Sequence, residues 1–342
     1  MPLSTFLRGG HPSTPPHSDN LEHSTSSKLS PIGIPDEHLE AFNSFKENLT
    51  KAGLYSPATT SSAASADDAT LARFFRARRY DPRQAQAQWA NHLSWRKSMD
   101  VDRLYATFDH QTFIAAQHYY PRWTGRRDKH GVPVYVYKLS ALGDRVKEIN
   151  SVPVESRYER IVVLWQLMTQ FITPLCTALP HPGNTAIYSI NSIIDLSGVS
   201  LSTMWSLRHH LQQASELATH QYPESMNITA VVNAPAYFAT VWSWISAWFD
   251  EGTRNKIHVL GKDPGPVLRT LIDTENLPKA YGGTLDFEFD DDPNLDDDAK
   301  NLLGEYPQGP IIFVNGKAVR PTVPSDTTPA RTSATTNGSA KN

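Results

Sequence analysis

The residue types that do covalent or metal chemistry are present in this chain, but not at spacings that would put them to work. His209 and His210 are adjacent, so on a helix they point about 100° apart and cannot share a metal ion; His220 is too far along to help. Gly198-Val199-Ser200-Leu201-Ser202 ends in serine where a nucleophile elbow needs glycine. Asn315-Gly316-Lys317 lacks both the hydroxyl residue and the upstream glycine of a phosphate loop, and no Gly-x-Gly-x-x-Gly follows a strand-like run. Asp195 ends an apolar run, a place that carries catalytic groups in many α/β folds but equally suits capping the next turn, which is the reading preferred here. No nucleophile–base pair is visible, so a hydrolase of the α/β class is disfavoured. The informative stretch is instead apolar. Between Ala234 and Lys256, Phe238, Val241, Trp242, Ile245 and Phe249 recur at helical spacing as one face, and Trp244 and Trp248 sit four apart off its centre. A surface helix is normally polar on one side. This one offers apolar surface in two directions, and tryptophan favours the membrane–water boundary. Two readings stay open: a buried core helix, or a movable lid that covers a lipid pocket and touches membranes. At roughly a dozen to fifteen residues it is too short to span a bilayer.

The elements that must position such a segment come in two groups. From 34 to 118 the pattern is helical. Leu39, Phe42, Phe45 and Leu49 form a stripe that stops at Gly53. Asp67 and Asp68 can cap a helix that ends in the basic cluster Arg76, Arg78 and Arg79, and Asp81-Pro82 starts another. The pattern then changes. Gly131–Leu139, Ala186–Leu196, Asn227–Val232 and Lys256–Leu260 read as strands. Between them lie helices at Glu155–Leu175, at Ser200–His220 and at the tryptophan segment. Strands alternating with helices over short links predict parallel βαβ units, so the fold class is α/β with a helical section packed on it. Gly309–Val319 either adds a strand or covers a sheet edge.

Composition frames the rest. The 342 residues carry a formal charge of −3, which gives no global field for nucleic acid. The single cysteine, Cys176, excludes an internal disulfide and fits a reducing compartment. Neither a signal-like core at the N-terminus nor an apolar run of about eighteen residues is visible, so the expectation is a cytoplasmic protein that visits membrane surfaces. Residues 1–33 and 321–342 are rich in Ser, Thr and Pro and read as disordered tails. Within 286–320, the acidic stretch Asp286–Ala299 reads as a solvated loop that Phe287 and Phe289 could tack down in part.

The block from Leu71 to Asp100, together with Ile-Ile-Asp-Leu-Ser-Gly-Val, Gln-Tyr-Pro-Glu-Ser-Met, Asn-Ala-Pro and Leu-Pro-Lys-Ala-Tyr-Gly-Gly, resembles the CRAL-TRIO lipid-binding family. Within that family it is most similar to the phosphatidylinositol/phosphatidylcholine transfer proteins of the secretory pathway. The likeness runs over about 35–285. It implies a helical section at 34–118 and a lipid-binding domain at 119–285, in which a mainly parallel sheet floors an apolar cavity under a gating helix. It implies that Arg78, Glu224, Thr253 and Lys256 hold an inositol phosphate headgroup. A phosphodiester suits a cation and a hydroxyl, and ring hydroxyls suit a carboxylate. A second-lipid pocket would involve Tyr135, Trp165, Ile190 and Ser192. There the match is imperfect: Ile190 stands where a serine hydroxyl is expected, and Trp165 stands in place of a tyrosine but could face a quaternary ammonium. Phosphatidylinositol plus an unidentified second lipid is therefore favoured over phosphatidylcholine. Phe238, Val241, Trp242, Trp244, Ile245, Trp248 and Phe249 would form the gate and membrane contact, and Gly282 and Gly283 its hinge. No cofactor beyond bound phospholipid is implied. By likeness, the protein would work peripherally on secretory and endosomal membranes, presenting its lipid to lipid kinases. A sterol, tocopherol, retinoid or other isoprenoid cargo, or an interaction module with lipid as filler, are the competing readings.

Overall fold

The computed structural model describes residues 29–143, 151–249 and 251–323. Residues 1–28 and 324–342, the bulk of the expected tails, lie outside these bounds, as does Asp250 of the tryptophan segment. Residues 29–33 correct the tail boundary, because they are pinned to the body. Ile34 N donates to Ser30 Oγ at 3.1 Å, Ala186 N donates to the Pro31 carbonyl at 2.7 Å, and Arg76 Nη1 donates to the Gly33 carbonyl at 2.9 Å.

The front section is helical as its stripes require. Helix α1 (Leu39–Lys51) buries Phe42, Phe45 and Leu49. Helix α2 (Asp68–Ala77) starts where Asp67 accepts from Thr70 N at 2.7 Å, and α3 (Pro82–Met99) starts where Asp81 accepts from Arg83 N and Gln84 N. Helices α4 (Val101–Thr107) and α5 (His110–Gln117) complete it. Phe42, Phe45, Leu71, Phe74, Phe75 and Trp89 fill its core.

The sheet has five strands in sequential order: β1 (Arg122–Arg127), β2 (Pro133–Lys138), β3 (Ile190–Asp195), β4 (Met226–Val232) and β5 (Ile257–Val259). Only β1 runs antiparallel; the other three pairings are parallel. The architecture is therefore the expected mixed α/β fold with a mainly parallel sheet, plus one edge strand the sequence reading missed. Parallel neighbours need crossovers, and these are α6 (Val154–Leu167), α8 (Leu201–Gln221, capped by Ser200) and the tryptophan segment. Sequential strand order with right-handed crossovers sends all three to one face of the sheet.

Two expectations change here. The helix read at Glu155–Leu175 runs from α6 through a π-turn at Met168–Ile172 into α7 (Thr173–Ala178). The combined helix is 25 residues long and apolar enough to cross a membrane by length and composition, against the expectation that no such run exists. It is instead a core helix, in which Phe171, Ile172, Leu175 and Cys176 are fully buried. Burial pushes the Cys176 thiol far above its ordinary pKa, so it is an inert apolar filler.

The acidic stretch keeps most of its carboxylates in water, but it is held down more widely than by Phe287 and Phe289 alone. Phe287, Phe289 and Leu295 are buried, and Asp296 caps a short helix, α11 (Asp297–Leu303). The cause lies on β1, whose arginines face this segment. Arg127 donates to Asp296 at 2.8 Å and to Asp298 at 2.9 Å, and Arg126 donates to Asn294 Oδ1 at 2.8 Å. The last strands, β6 (Ile312–Val314) and β7 (Lys317–Val319), form a separate hairpin rather than extending the sheet. It is anchored where the Tyr105 hydroxyl donates to the Ile311 carbonyl at 2.6 Å.

Candidate functional site

One cavity of about 310 Å³ lies between the sheet and its crossover helices. Its floor is the sheet face carrying Tyr137, Ser192, Ile194, Thr229, Val231 and Ile257, one side chain in two along each strand. The walls are apolar residues of α8, Met204, Leu211 and Ala214, with Phe238, Trp242, Ile245, Trp248 and Phe249 of the tryptophan segment opposite. That volume and that lining suit a buried apolar ligand with a few fixed polar contacts.

The polar contacts gather at one end. Arg78 follows α2, Glu224 sits in the turn between α8 and β4, Thr253 lies in α10 (Glu251–Asn255), and Lys256 precedes β5. All four line the same cavity although 178 positions separate the first from the last in Met1–Asn342 numbering. Lys256 Nζ donates to Glu224 Oε2 at 3.0 Å, and both side chains are about one-third exposed, so the pair is accessible to a ligand. The backbone here is strained. Glu224 (φ 55°), Arg79 (φ 51°) and Tyr80 (φ 63°) occupy the left-handed region, each at a cost of about 1–2 kcal/mol. The turn at Arg79–Tyr80 ends α2 and lets Arg78 reach the cavity.

The positions expected to hold a second lipid divide. Trp165, Ile190 and Ser192 line the cavity. Trp165 is stacked on Tyr222 (5.0 Å, 12°), so one face of its ring is already covered. Tyr135 does not line the cavity. It is 6% exposed and packs beside Trp123 and Tyr306 around a separate void of about 30 Å³ under the C-terminal segment. Its strand face is the one expected; the void it lines is bounded by Leu164 and Leu167 of α6 and by Pro293 and Tyr306 of the C-terminal segment.

The tryptophan segment is not one helix. Helix α9 (Phe238–Ile245) tightens into a 3-10 turn at Ser246–Trp248, breaks at the extended Phe249, and resumes as α10. Phe238, Val241 and Trp242 are buried, and Trp244 and Trp248 are half-buried. The residues turned fully to water are small: Ala239, Thr240, Ser243 and Ala247. Trp244 packs edge-on against Trp205 of α8 (5.4 Å, 77°), and Trp205 itself is 52% exposed with Arg208 stacked on it at 4.1 Å. The tryptophan that faces water is thus on α8. Its only signal in the sequence is a large apolar residue one turn beyond the Ser200 cap.

Gly282 and Gly283 sit where two stretches of backbone come close together. A Cβ on Gly283 would lie 1.9 Å from the Leu277 carbonyl oxygen, and one on Gly282 (φ +92°) would lie 2.6 Å from Gly265 Cα. Only glycine allows so close a backbone approach. Asp195 behaves as a cap: Ser197 N donates to Oδ1 at 2.8 Å, and the Tyr281 hydroxyl donates to Oδ2 at 3.2 Å. The sequence reading also passed over Tyr222, which lines the cavity and takes a 2.6 Å bond from Gln166 Nε2, and Thr229, whose buried hydroxyl lacks a partner on the cavity floor.

Comparison with known proteins agrees with this architecture. Residues 117–283 match the family model described as CRAL/TRIO domain. The chain is 32% identical over 217 residues to the "Sec14 cytosolic factor" of Schizosaccharomyces pombe, covering 64% of this chain and 74% of that one. It is 32% identical over 215 residues to "Phosphatidylinositol/phosphatidylcholine transfer protein SFH7" of Arabidopsis thaliana, covering 62% of this chain and 38% of that one. Among solved structures, that of Sfh5 superposes with a TM-score of 0.57 at 17% identity over 73% of this chain and 88% of the other, a likeness of fold.

Proposed function

The chain belongs to the CRAL/TRIO domain family, and on that footing we propose that it binds phosphatidylinositol in the apolar cavity and exchanges it between membranes. The observation that carries this reading is the convergence of Arg78, Glu224, Thr253 and Lys256 at one end of an otherwise apolar cavity. Lys256 and Arg78 supply charge for the phosphodiester, Thr253 supplies a hydroxyl, and Glu224 accepts from ring hydroxyls. The acyl chains lie along the sheet floor between α8 and α9, and Trp165, Ile190 and Ser192 contact the second lipid.

The physics of transfer needs no covalent step. A two-chain phospholipid in water exposes on the order of thirty methylenes at about 0.8 kcal/mol each, a barrier of tens of kcal/mol. A cavity as apolar as the bilayer removes that barrier and leaves the exchange close to neutral. Helix α9 acts as the gate. Its mobile ends are the turn at Asn233 (φ 54°) and the break at Phe249. Opening breaks the Trp205–Trp244 contact and the hydrogen bond from the Tyr237 hydroxyl to the Val199 carbonyl. The gate tryptophans and Trp205 then meet the membrane. In the cell the protein works in the cytoplasm, peripherally on secretory and endosomal membranes, presenting phosphatidylinositol to lipid kinases and so sustaining phosphoinositide signalling and vesicle traffic.

The test is transfer of labelled phosphatidylinositol between vesicles, with mass spectrometry of lipid that copurifies. Lys256→Ala and Glu224→Lys abolish transfer while the protein stays folded. Unchanged transfer by both variants removes these residues from the site, and a copurified sterol or isoprenoid replaces the cargo.

A further inference from the structure

The largest apolar side chain open to water lies outside the gate. Trp205, in the second turn of α8, is 52% exposed, and no other aromatic ring among the described residues is as open. Leu201, four residues earlier on the same helix face, is 40% exposed. Arg208 stacks its guanidinium on the Trp205 ring at 4.1 Å and donates from Nη1 to the Trp205 carbonyl at 2.6 Å. The helix that carries them is fixed to the body, because Met204, Leu207 and His210 are buried. The closed gate presents nothing comparable. Its fully exposed residues are Ala239, Thr240, Ser243 and Ala247, and its rings are buried or half-buried. Trp205 and Trp244 also line a small apolar void of about 70 Å³, which shares Met204, Leu211, Ile245 and Trp248 with the main cavity. The exposed ring therefore marks the edge along which α9 must part from α8.

Charge and area select the partner. No Asp or Glu occurs from Leu196 to Ser215 or from Ser225 to Phe249; these stretches carry Arg208, with His209 exposed beside it. An indole with a guanidinium on its face, on a surface without carboxylates, suits the headgroup boundary of a bilayer that contains anionic phospholipid. The ring sits at the interface, the arginine stem lies along it, and the charge reaches phosphates. A leucine, a tryptophan and one cation fall far short of the roughly 800 Å² per partner that a stable protein interface needs, whereas a bilayer admits a single ring. We propose that the N-terminal half of α8, through Leu201, Trp205 and Arg208, is a fixed docking surface for bilayers containing anionic phospholipid, and that it engages them while the gate is still closed. The proposal rests on the exchange reading above and deepens it: α8 holds the edge of the cavity at the bilayer, and the gate opens into a membrane already bound.

The experiment floats the full chain with vesicles of phosphatidylcholine alone, or of two parts phosphatidylcholine to one part phosphatidylserine. The wild type binds the anionic vesicles about fivefold more tightly at low salt, the effect of one cation near a charged surface, and the preference fades at high salt. Trp205→Ala loses about tenfold on both vesicles with an unchanged unfolding temperature. Arg208→Gln keeps the neutral binding and loses the preference, and Arg208→Lys retains it. Trp248→Ala in the gate and Lys256→Ala in the headgroup site bind vesicles as the wild type does. Wild-type binding by Trp205→Ala overturns the proposal, and so does a loss in Trp248→Ala as deep as that in Trp205→Ala, since the gate is then the anchor. Equal wild-type binding to the two vesicles overturns the anionic partner. A dimer in sedimentation velocity that Trp205→Ala dissolves overturns the proposal in favour of a second copy. If the wild type docks through Trp205 but moves no phosphatidylinositol, it is the exchange reading that fails, and the docking surface stands.

Discussion

Glu224 shows how the same residue sets stability and function against each other. Its carboxylate meets Lys256 at 3.0 Å, but its backbone sits at φ 55°, where only glycine is at ease. The ion pair is one-third exposed and so contributes little to folding. Glu224→Gly is therefore expected to raise stability by up to about 1 kcal/mol in urea denaturation while phosphatidylinositol transfer falls severely. A variant that loses both together would mean that the carboxylate, not the backbone, holds this turn. Residue types such as Arg78, Glu224, Thr253 and Lys256 were legible in the sequence only through their motifs. Their convergence depends on a turn, a short helix and a strand end that no local pattern ties together.

At the scale of elements, most helices and the parallel strands were read correctly because each is apolar with a regular period, the broken tryptophan segment aside. The missed strand is instructive. Strand β1 reads Arg-Trp-Thr-Gly-Arg-Arg, with no alternating apolar face, because its arginines are neutralised by carboxylates about 170 residues later. The same pairing hid the acidic segment, which looks solvated until its cations are known. Arg127 is the keystone of that pairing: its side chain is 9% exposed, and it bonds Asp296, Asp298 and the Pro180 carbonyl. Removing it leaves the largely buried Asp296 without its hydrogen-bonded cation, with only the more distant field of Arg126. Arg127→Ala is expected to cost about 3 kcal/mol and to make the chain beyond residue 286 the first site of limited proteolysis. Full stability with an intact C-terminal segment under protease would show that Phe287, Phe289 and Leu295 hold it unaided. Tyr135 was misplaced for a related reason: its strand face was right, but it lies in a void apart from the cavity, under Leu164 and Leu167 of α6 and Tyr306 of the C-terminal segment.

The whole molecule is joined along a seam where the helical front meets α8, and that seam is titratable. Gln88 Nε2 reaches the Thr219 and His220 carbonyls at 3.2 Å, and His92 Nδ1 meets Gln221 Oε1 at 3.1 Å among Phe74, Trp89 and Trp95. Burial pulls His92 down to about 3, and burial likewise pulls His210 of α8, packed on Tyr120, down to about 4. Both lie below the unfolded value of 6.5, so between those limits the unfolded chain holds protons that the folded chain refuses. Stability therefore falls as pH drops below 6.5, by about 2 kcal/mol for each histidine at pH 5. Asp81 and Asp109, which cap α3 and α5, do not contribute in this window. Asp81 and Asp109 are held below the usual carboxylate range, chiefly by hydrogen bonds from Gln84 and Thr112, so their stabilisation fades only below 3.8. Urea midpoints measured from pH 7 to pH 5 should decline in the wild type and flatten in His92→Gln and in His210→Phe, most in the double variant. If His92→Gln declines as steeply as the wild type, protonation of the seam is not what acid exploits. Because α8 also walls the cavity, lipid release should follow the same pH curve as unfolding in the wild type, and both should move together when His92 is replaced.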